Sequence, residues 1–325
     1  MIRFINFIKL ISQTIRYKVI FRMIIIFFIG IFIKNNKLMI PSTYIYALFA
    51  IFFSYINAVS INDLEDYKID LLNKKNNQYK TLIKGELNRD NLITINIISL
   101  FLTLLFAFLI NYYALIVIII TLIINYLYSL KYFRLSDNTY TAYFLLVIAY
   151  IFIPYILGMI VAKSIFNEKT ILFLIPLSLL SLSALLLKDF KDQKGDLKYK
   201  KITFLLRYGK NITCNTSLFL ISISYILFIF ILKITSIPIF LIFTLSYIYI
   251  FYIVYLLKIS KKNLELTIIN IVSISVNGIL ILILSFFILT DYKSNIFNLV
   301  LFLSFIFITY TYTLYTLLKN TLKKY

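Results

Sequence analysis

The chain of 325 residues contains no histidine and one cysteine, Cys214. The first absence removes imidazole from acid–base chemistry and from metal binding. The second rules out an intramolecular disulfide and any thiolate cluster, and Cys214 reads more simply as an ordinary helix residue than as a nucleophile. Any metal must therefore be held by oxygen, which favours Mg²⁺ or Mn²⁺ over zinc. Acidic residues are scarce as well: 13 against 33 Lys and Arg, for a net charge of +20. Nine of those 13 fall in two short stretches, 61–90 and 189–196, too uneven a distribution to be casual. Proline occurs four times. Pro41, Pro176 and Pro238 lie near the starts of apolar runs, where a missing N–H costs little. Pro154 lies inside one and predicts a kink.

What the chain has in excess is apolar surface. It is 62% hydrophobic with a mean hydropathy of +0.93, and its apolar runs approach or exceed the length that crosses a bilayer. The fold class is all-α, a polytopic membrane helical bundle. Ten candidate spans can be drawn: 17–33, 40–60, 91–110, 113–130, 140–162, 170–187, 213–232, 237–257, 266–289 and 296–317. The first is the weakest, being short and carrying Lys18 and Arg22. Residues 1–16 mix apolar residues with Arg3, Lys9 and Arg16. They suit an amphipathic helix lying on the inner surface rather than a cleaved signal peptide. Residues 17–325 then form a single transmembrane domain.

With the N-terminus inside and all ten spans crossing, 27 of the 33 basic residues fall on the cytoplasmic side and six outside. That asymmetry sets the orientation and places both acidic stretches on the cytoplasmic face of a cell membrane. It also accounts for the net charge through contact with anionic lipid headgroups. Nucleic-acid binding is excluded as a reading, since no soluble basic domain is present to carry it.

The first acidic stretch reads Asn62-Asp63-Leu64-Glu65-Asp66-Tyr67-Lys68-Ile69-Asp70. Asn62, Asp66 and Asp70 are spaced i, i+4, i+8. On a continuous helix they share one face, with neighbours roughly 6 Å apart along the axis. The second stretch, Asp189 to Asp196, repeats the spacing with Asp192 and Asp196, preceded by Asp189. Carboxylates converging at a membrane interface repel and lose hydration unless a cation bridges them. Mg²⁺ bound by carboxylates and by substrate phosphates answers both needs. Lys74, Lys75, Lys80 and Lys84 follow the first stretch, and Lys188, Lys191 and Lys194 surround the second. Carboxylates for metal and lysines for phosphate oxygens together suit a substrate with a diphosphate head and an apolar tail. Two solvated loops of mixed charge are the bland alternative, against which the repeated spacing counts.

These residues resemble the motifs of the UbiA superfamily of intramembrane prenyltransferases. Its first motif, N-D-x-x-D-x-x-x-D, matches Asn62, Asp63, Asp66 and Asp70. Its second, D-x-x-D-x-x-x-D, matches Asp189, Asp192 and Asp196, with Gly195 before the last Asp. Thr203 to Gly209 is similar to the segment that follows the second motif. Tyr128-Ser129 with Lys131 and Arg134 is similar to a pair found after the fourth span. The resemblance runs from about residue 15 to 290. It implies about nine spans around a central cavity, with two Mg²⁺ ions on a prenyl diphosphate. Asn62, Asp66, Asp70, Asp192 and Asp196, supported by Asp189, are the implied metal ligands. On the same resemblance Asp66, Asp70, Asp192 and Asp196 would carry the catalysis. Lys131 and Arg134 would contact the diphosphate, and Tyr128 would orient substrate.

The chain departs from the family in its first loop, where Lys80-Thr81-Leu82-Ile83-Lys84-Gly85 replaces an Arg-Pro pair before the glycine. Lys80 lacks the bidentate fork of arginine. The span at 296–317 is also unusual.

The resemblance implies a donor, a prenyl diphosphate, and an acceptor, an aromatic compound or a lipid in the bilayer. A polyprenyl-phosphate phosphoribosyltransferase branch of the same family is an alternative, against which Gly195-Asp196 argues. A cation-coupled transporter is another, though its carboxylates are expected near the midplane rather than at span ends. Asn57, Asn125, Asn270 and Asn277 lie at membrane depth and read mainly as interhelical hydrogen-bonding groups, with acceptor recognition as the alternative.

Overall fold

The computed structural model describes residues 16–33, 41–73, 80–85, 88–164, 166–234 and 236–291, with Thr311 and Tyr315 beyond. Every regular element among them is helical. In chain order these are α1 (Tyr17–Phe32), α2 (Ser42–Glu65), α3 (Tyr67–Leu72), α4 (Arg89–Phe108), α5 (Tyr112–Ser129) and α6 (Thr141–Val161). There follow α7 (Glu168–Leu186), α8 (Gln193–Lys198), α9 (Phe204–Leu232), α10 (Ile237–Ile259) and α11 (Lys262–Asp291). Short helical turns occur at Thr81–Lys84, Leu135–Asp137 and Leu187–Lys191.

Among the described residues eight helices are long and apolar enough to cross a membrane: α2, α4, α5, α6, α7, α9, α10 and α11. The protein is a multi-pass helical membrane protein. A ninth crossing rests on α1, which has 16 residues and falls just short of a bilayer-spanning length. The surface helix expected over 1–16 lies outside the described residues apart from Arg16. The span expected over 296–317 lies outside them apart from Thr311 and Tyr315.

Burial separates an inner from an outer set. In α2, α6 and α7 roughly two thirds of the apolar window is buried, 61%, 61% and 67%; in α4, α5, α9 and α10 it is 33%. The outer helices turn Phe101, Phe108, Phe219, Phe230 and Leu245 outward, as a lipid-facing surface permits. One core packs α1, α6 and α7 against α9, α10 and α11. A second joins α1 and α2 to α5 and α6. Tyr150 on α6 packs against both. Helices α1 and α6 cross in near-backbone contact because each carries glycine at the crossing. A Cβ on Gly30 would stand 2.2 Å from the Tyr155 carbonyl oxygen, and one on Gly158 2.2 Å from that of Phe27.

Two prolines behave differently from expectation. The kink expected at Pro154 takes the form of a π turn, Ile148–Phe152, ending two residues before it. Widening the turn absorbs the donor that proline lacks. Pro176 sits well inside α7 rather than at its start, and its carbonyl accepts from Ser224 Oγ of α9 at 2.9 Å. Helix α9 begins nine residues before the expected 213 and bends at Gly209, whose φ of 77° only glycine adopts without strain.

Candidate functional site

Helix α2 ends at Glu65. Asp66 takes φ −87°, ψ 5°, and the chain re-enters helix as α3. The i, i+4 ladder nevertheless continues through the break: the Asp66 amide donates to the Asn62 carbonyl and the Asp70 amide to that of Asp66, both at 2.9 Å. Asn62, Asp66 and Asp70 therefore still line one face, although the helix is not continuous as the spacing alone suggests. The second motif is built the same way. The turn Leu187–Lys191 ends at Asp192, with φ −109° and ψ 5°, and α8 follows. The Asp196 amide donates to the Asp192 carbonyl at 3.0 Å. Both middle aspartates occupy the sparsely populated bridge region.

The two short helices are clasped by Asn73. Its Nδ2 donates to the Asp192 carbonyl at 3.0 Å, and its Oδ1 accepts from the Gly195 amide at 3.2 Å. Gly195 is required by this contact. A Cβ there would lie 2.4 Å from Asn73 Nδ2 and 2.6 Å from the Ile69 carbonyl oxygen. The clasp brings the motifs to one cavity of about 560 Å³, lined by Asn62, Asp66, Asp70, Asp189, Asp192 and Asp196. All six predicted ligands are thus brought together. Asp63 is turned away from the cavity, held by Arg16 at 2.8 Å and Lys80 at 3.2 Å.

Cations answer the carboxylates. Arg134 Nη2 reaches Asp66 at 2.8 Å, and Asn62 Nδ2 donates to the other Asp66 oxygen at 2.8 Å. Lys80 pairs with Asp70 at 2.5 Å. Burial opposes the Asp66 carboxylate, yet Lys201, Lys80 and Arg134 outweigh it and hold the group below its usual range. For Asp70 burial prevails over Lys80 and pushes the carboxyl up to about 6. Burial pushes Asp196 up to about 7 despite Lys201. Lys201 itself is desolvated, but the fields of Asp66, Tyr128, Asp196 and Asp189 keep its ammonium protonated.

Tyr128 lines the cavity and its hydroxyl accepts from Lys188 Nζ at 3.0 Å. That ammonium lies 5.6 and 5.7 Å from the ring centres of Tyr128 and Tyr143, within cation–π range. The Tyr143 hydroxyl donates to Asp189. Lys131 is exposed in the turn after α5 and does not line the cavity. Lys74 and Lys75 lie outside the described residues.

Sequence reasoning did not single out Lys201, which sits beside the equally basic but exposed Lys198 and Lys200. Lys200 adopts a left-handed φ of 57°, and the Lys201 amide then closes on the Asp196 carbonyl at 2.9 Å, setting Lys201 into the cavity. Nor did it place Lys18 and Arg22 here. Both were counted against the first span, and both face inward.

Among the described residues no three acidic side chains converge closely enough to form a ready metal cluster. Asp66 and Asp70 engage the protein's own cations instead. The donor set still fits Mg²⁺: five carboxylates and one amide, oxygen throughout, on one cavity wall, two of the carboxyls raised by burial as groups lacking sufficient counter-charge. The same cavity also carries an apolar lining, Ile124, Leu145, Leu146, Ala149 and Leu185.

The model of the UbiA prenyltransferase family matches residues 23–274. Comparison with curated proteins found no match. Among solved structures, a digeranylgeranylglyceryl phosphate synthase is 25% identical, with a TM-score of 0.62 over 89% of this chain and 100% of that one. A UbiA homologue from Archaeoglobus fulgidus bound to geranyl diphosphate and Mg²⁺ is 17% identical, with a TM-score of 0.63 over 85% of this chain and 99% of that one. The apo homologue from Aeropyrum pernix K1 shares the fold at 14% identity and a TM-score of 0.59, over 82% and 98% of the two chains.

Proposed function

This chain belongs to the UbiA prenyltransferase family, and from that premise we propose that it moves an isoprenoid chain from a prenyl diphosphate to an aromatic or lipid acceptor in the bilayer, in a Mg²⁺-dependent reaction that releases diphosphate. One observation carries the reading. Two acidic motifs from distant parts of the chain open onto a single cavity whose lining also includes the apolar side chains of α5, α6 and α7. The relative from Archaeoglobus fulgidus binds a prenyl diphosphate together with Mg²⁺.

Asn62, Asp66, Asp70, Asp192 and Asp196, with Asp189 beside them, would hold the metal. Bound there, Mg²⁺ would neutralise charge gathering on the leaving diphosphate. Lys80, Arg134 and Lys201 sit among the same carboxylates and supply further positive charge to the diphosphate oxygens. The prenyl tail extends along the apolar wall of α5, α6 and α7. Departure of diphosphate leaves an allylic cation, which the acceptor attacks. The dry wall keeps water from that cation, and the Tyr128 and Tyr150 rings line the same space. The charge asymmetry of the loops favours a cytoplasmic mouth in the cell membrane.

Purified protein in detergent, given geranyl, farnesyl and geranylgeranyl diphosphates with a lipid and small-aromatic extract, tests this. Mg²⁺-dependent appearance of a prenylated product by mass spectrometry, absent in Asp66→Ala, is the expected result. Product from phosphoribosyl diphosphate and polyprenyl phosphate instead would move the chain to the phosphoribosyltransferase branch. No transfer, with altered cation flux in liposomes, would favour transport.

A further inference from the structure

Lys18 and Arg22 stand one helical turn apart on α1, and both line the cavity. Arg22 is only 5% exposed. Its Nε donates to Asn277 Oδ1 at 2.9 Å, and its Nη2 to the Ser273 carbonyl and hydroxyl at 3.3 Å each. Lys18 Nζ donates to Asn270 Oδ1 at 2.9 Å. Asn277 closes the arrangement by donating from Nδ2 to the Lys18 carbonyl, also at 2.9 Å. Residues 270, 273 and 277 are spaced three and four apart, so one stripe of α11 faces the two cations.

Every one of these partners is neutral. Among the described residues neither cation pairs with a carboxylate. Glu265, the acid on α11 nearest this stripe, is taken by Lys210 at 2.7 Å. A buried cation without a counter-charge is costly, and amide oxygens offset only part of that cost. If α1 needed only to be fastened to α11, uncharged amides would do so without that cost. Two positive charges on a cavity wall instead call for an anion in the cavity.

The donor's diphosphate already has its own cations. Those acting on Asp66, Asp70 and Asp196 are Lys80, Arg134 and Lys201; Lys18 and Arg22 are not among them. We propose that Lys18 and Arg22, cradled by Asn270, Ser273 and Asn277, form a second anion subsite that takes the phosphate or carboxylate head of the acceptor. The subsite rests on the transferase reading for its role, but not for its ability to bind an anion.

The test therefore has a binding arm without donor and a kinetic arm with it. Full-length protein in detergent is titrated with inorganic phosphate, a short-chain alkyl glycerophosphate and benzoate, each beside a neutral counterpart, and thermal stabilisation is read. The key variant is Asn277→Asp, which keeps side-chain size and gives Arg22 an internal carboxylate; Lys18→Gln is the second. Anions should stabilise the wild type and the neutral counterparts should not. Both variants should weaken anion binding by about tenfold or more, while affinity for a non-hydrolysable prenyl diphosphate with Mg²⁺ stays within about twofold. A stronger effect of the glycerophosphate identifies a lipid phosphate head, and of benzoate an aromatic acid. Unchanged anion binding in both variants, or loss of all anion binding in Lys201→Gln instead, overturns the subsite. In the kinetic arm, KM for the acceptor should rise in Asn277→Asp with KM for the donor unaltered. Failure of transfer with every acceptor, alongside intact anion binding, would count against the transferase reading and leave the subsite standing.

Discussion

Lys201 lies in the cavity within the fields of Asp66 and Asp196, one from each motif. Replacing it with glutamine removes a charge aimed where diphosphate must leave. The expected result is a loss of about a hundredfold in kcat, read by product formation at saturating donor. Asp70 and Asp196, raised to about 6 and about 7 by burial, must lose their protons before a cation can bind. For the metal-free protein the sign is clear: a carboxyl raised in the folded state stabilises most below its unfolded value, and that contribution is lost as pH rises through the folded one. Metal-free thermal stability should therefore fall from about pH 4 to about pH 7. The stabilisation added by Mg²⁺ should grow over the upper part of the same range, and a Mg²⁺ shift independent of pH would contradict the assignment. The acidic ligands were legible because few carboxylates occur elsewhere in the chain. Of the basic ones, Arg134 and Lys80 were legible and pair with Asp66 and Asp70, whereas Lys201 was not, because Lys198, Lys200 and Lys201 differ only in where a left-handed residue turns the backbone.

Helices α3 and α8 carry the registration of the site. Gly195→Ala places a methyl 2.4 Å from Asn73 Nδ2 and 2.6 Å from the Ile69 carbonyl, and one of these is backbone that cannot move cheaply. The substitution should force the two short helices apart, lowering stability by about 1–3 kcal/mol in thermal denaturation and activity by more. Asn73→Ala removes the clasp without adding bulk and should cost about 1–3 kcal/mol through the buried groups it leaves unpaired. Equal activity and melting temperature in both variants would show that the motifs are held some other way. The shared face of each motif could be read from its i, i+4 spacing. The breaks at Asp66 and Asp192 could not, since the bridge conformation carries no residue signature comparable to glycine or proline. Pro154 announced an irregularity in α6 correctly, but not that it would be a π turn.

At the scale of the whole molecule, the bundle was readable from run length and charge. The exception is α1, whose Lys18 and Arg22 lowered its apparent fitness to cross because sequence alone does not say that they face a cavity rather than lipid. The orientation inferred from basic loops predicts opposite labelling of Tyr132→Cys and Lys163→Cys in intact cells. The first lies in the exposed turn after α5 and the second at the far end of α6, and Cys214 is buried and leaves a quiet background. A membrane-impermeant maleimide should reach position 163 directly and position 132 only after permeabilisation.

The most direct measurement is equilibrium binding of a non-hydrolysable geranyl diphosphate analogue to purified protein, with and without Mg²⁺, in the wild type, Asp66→Ala and Asp192→Ala. If both motifs hold one donor in one cavity, binding requires Mg²⁺ and weakens by about tenfold or more in each variant. Binding that ignores Mg²⁺, or that survives loss of either motif, would contradict a shared diphosphate site.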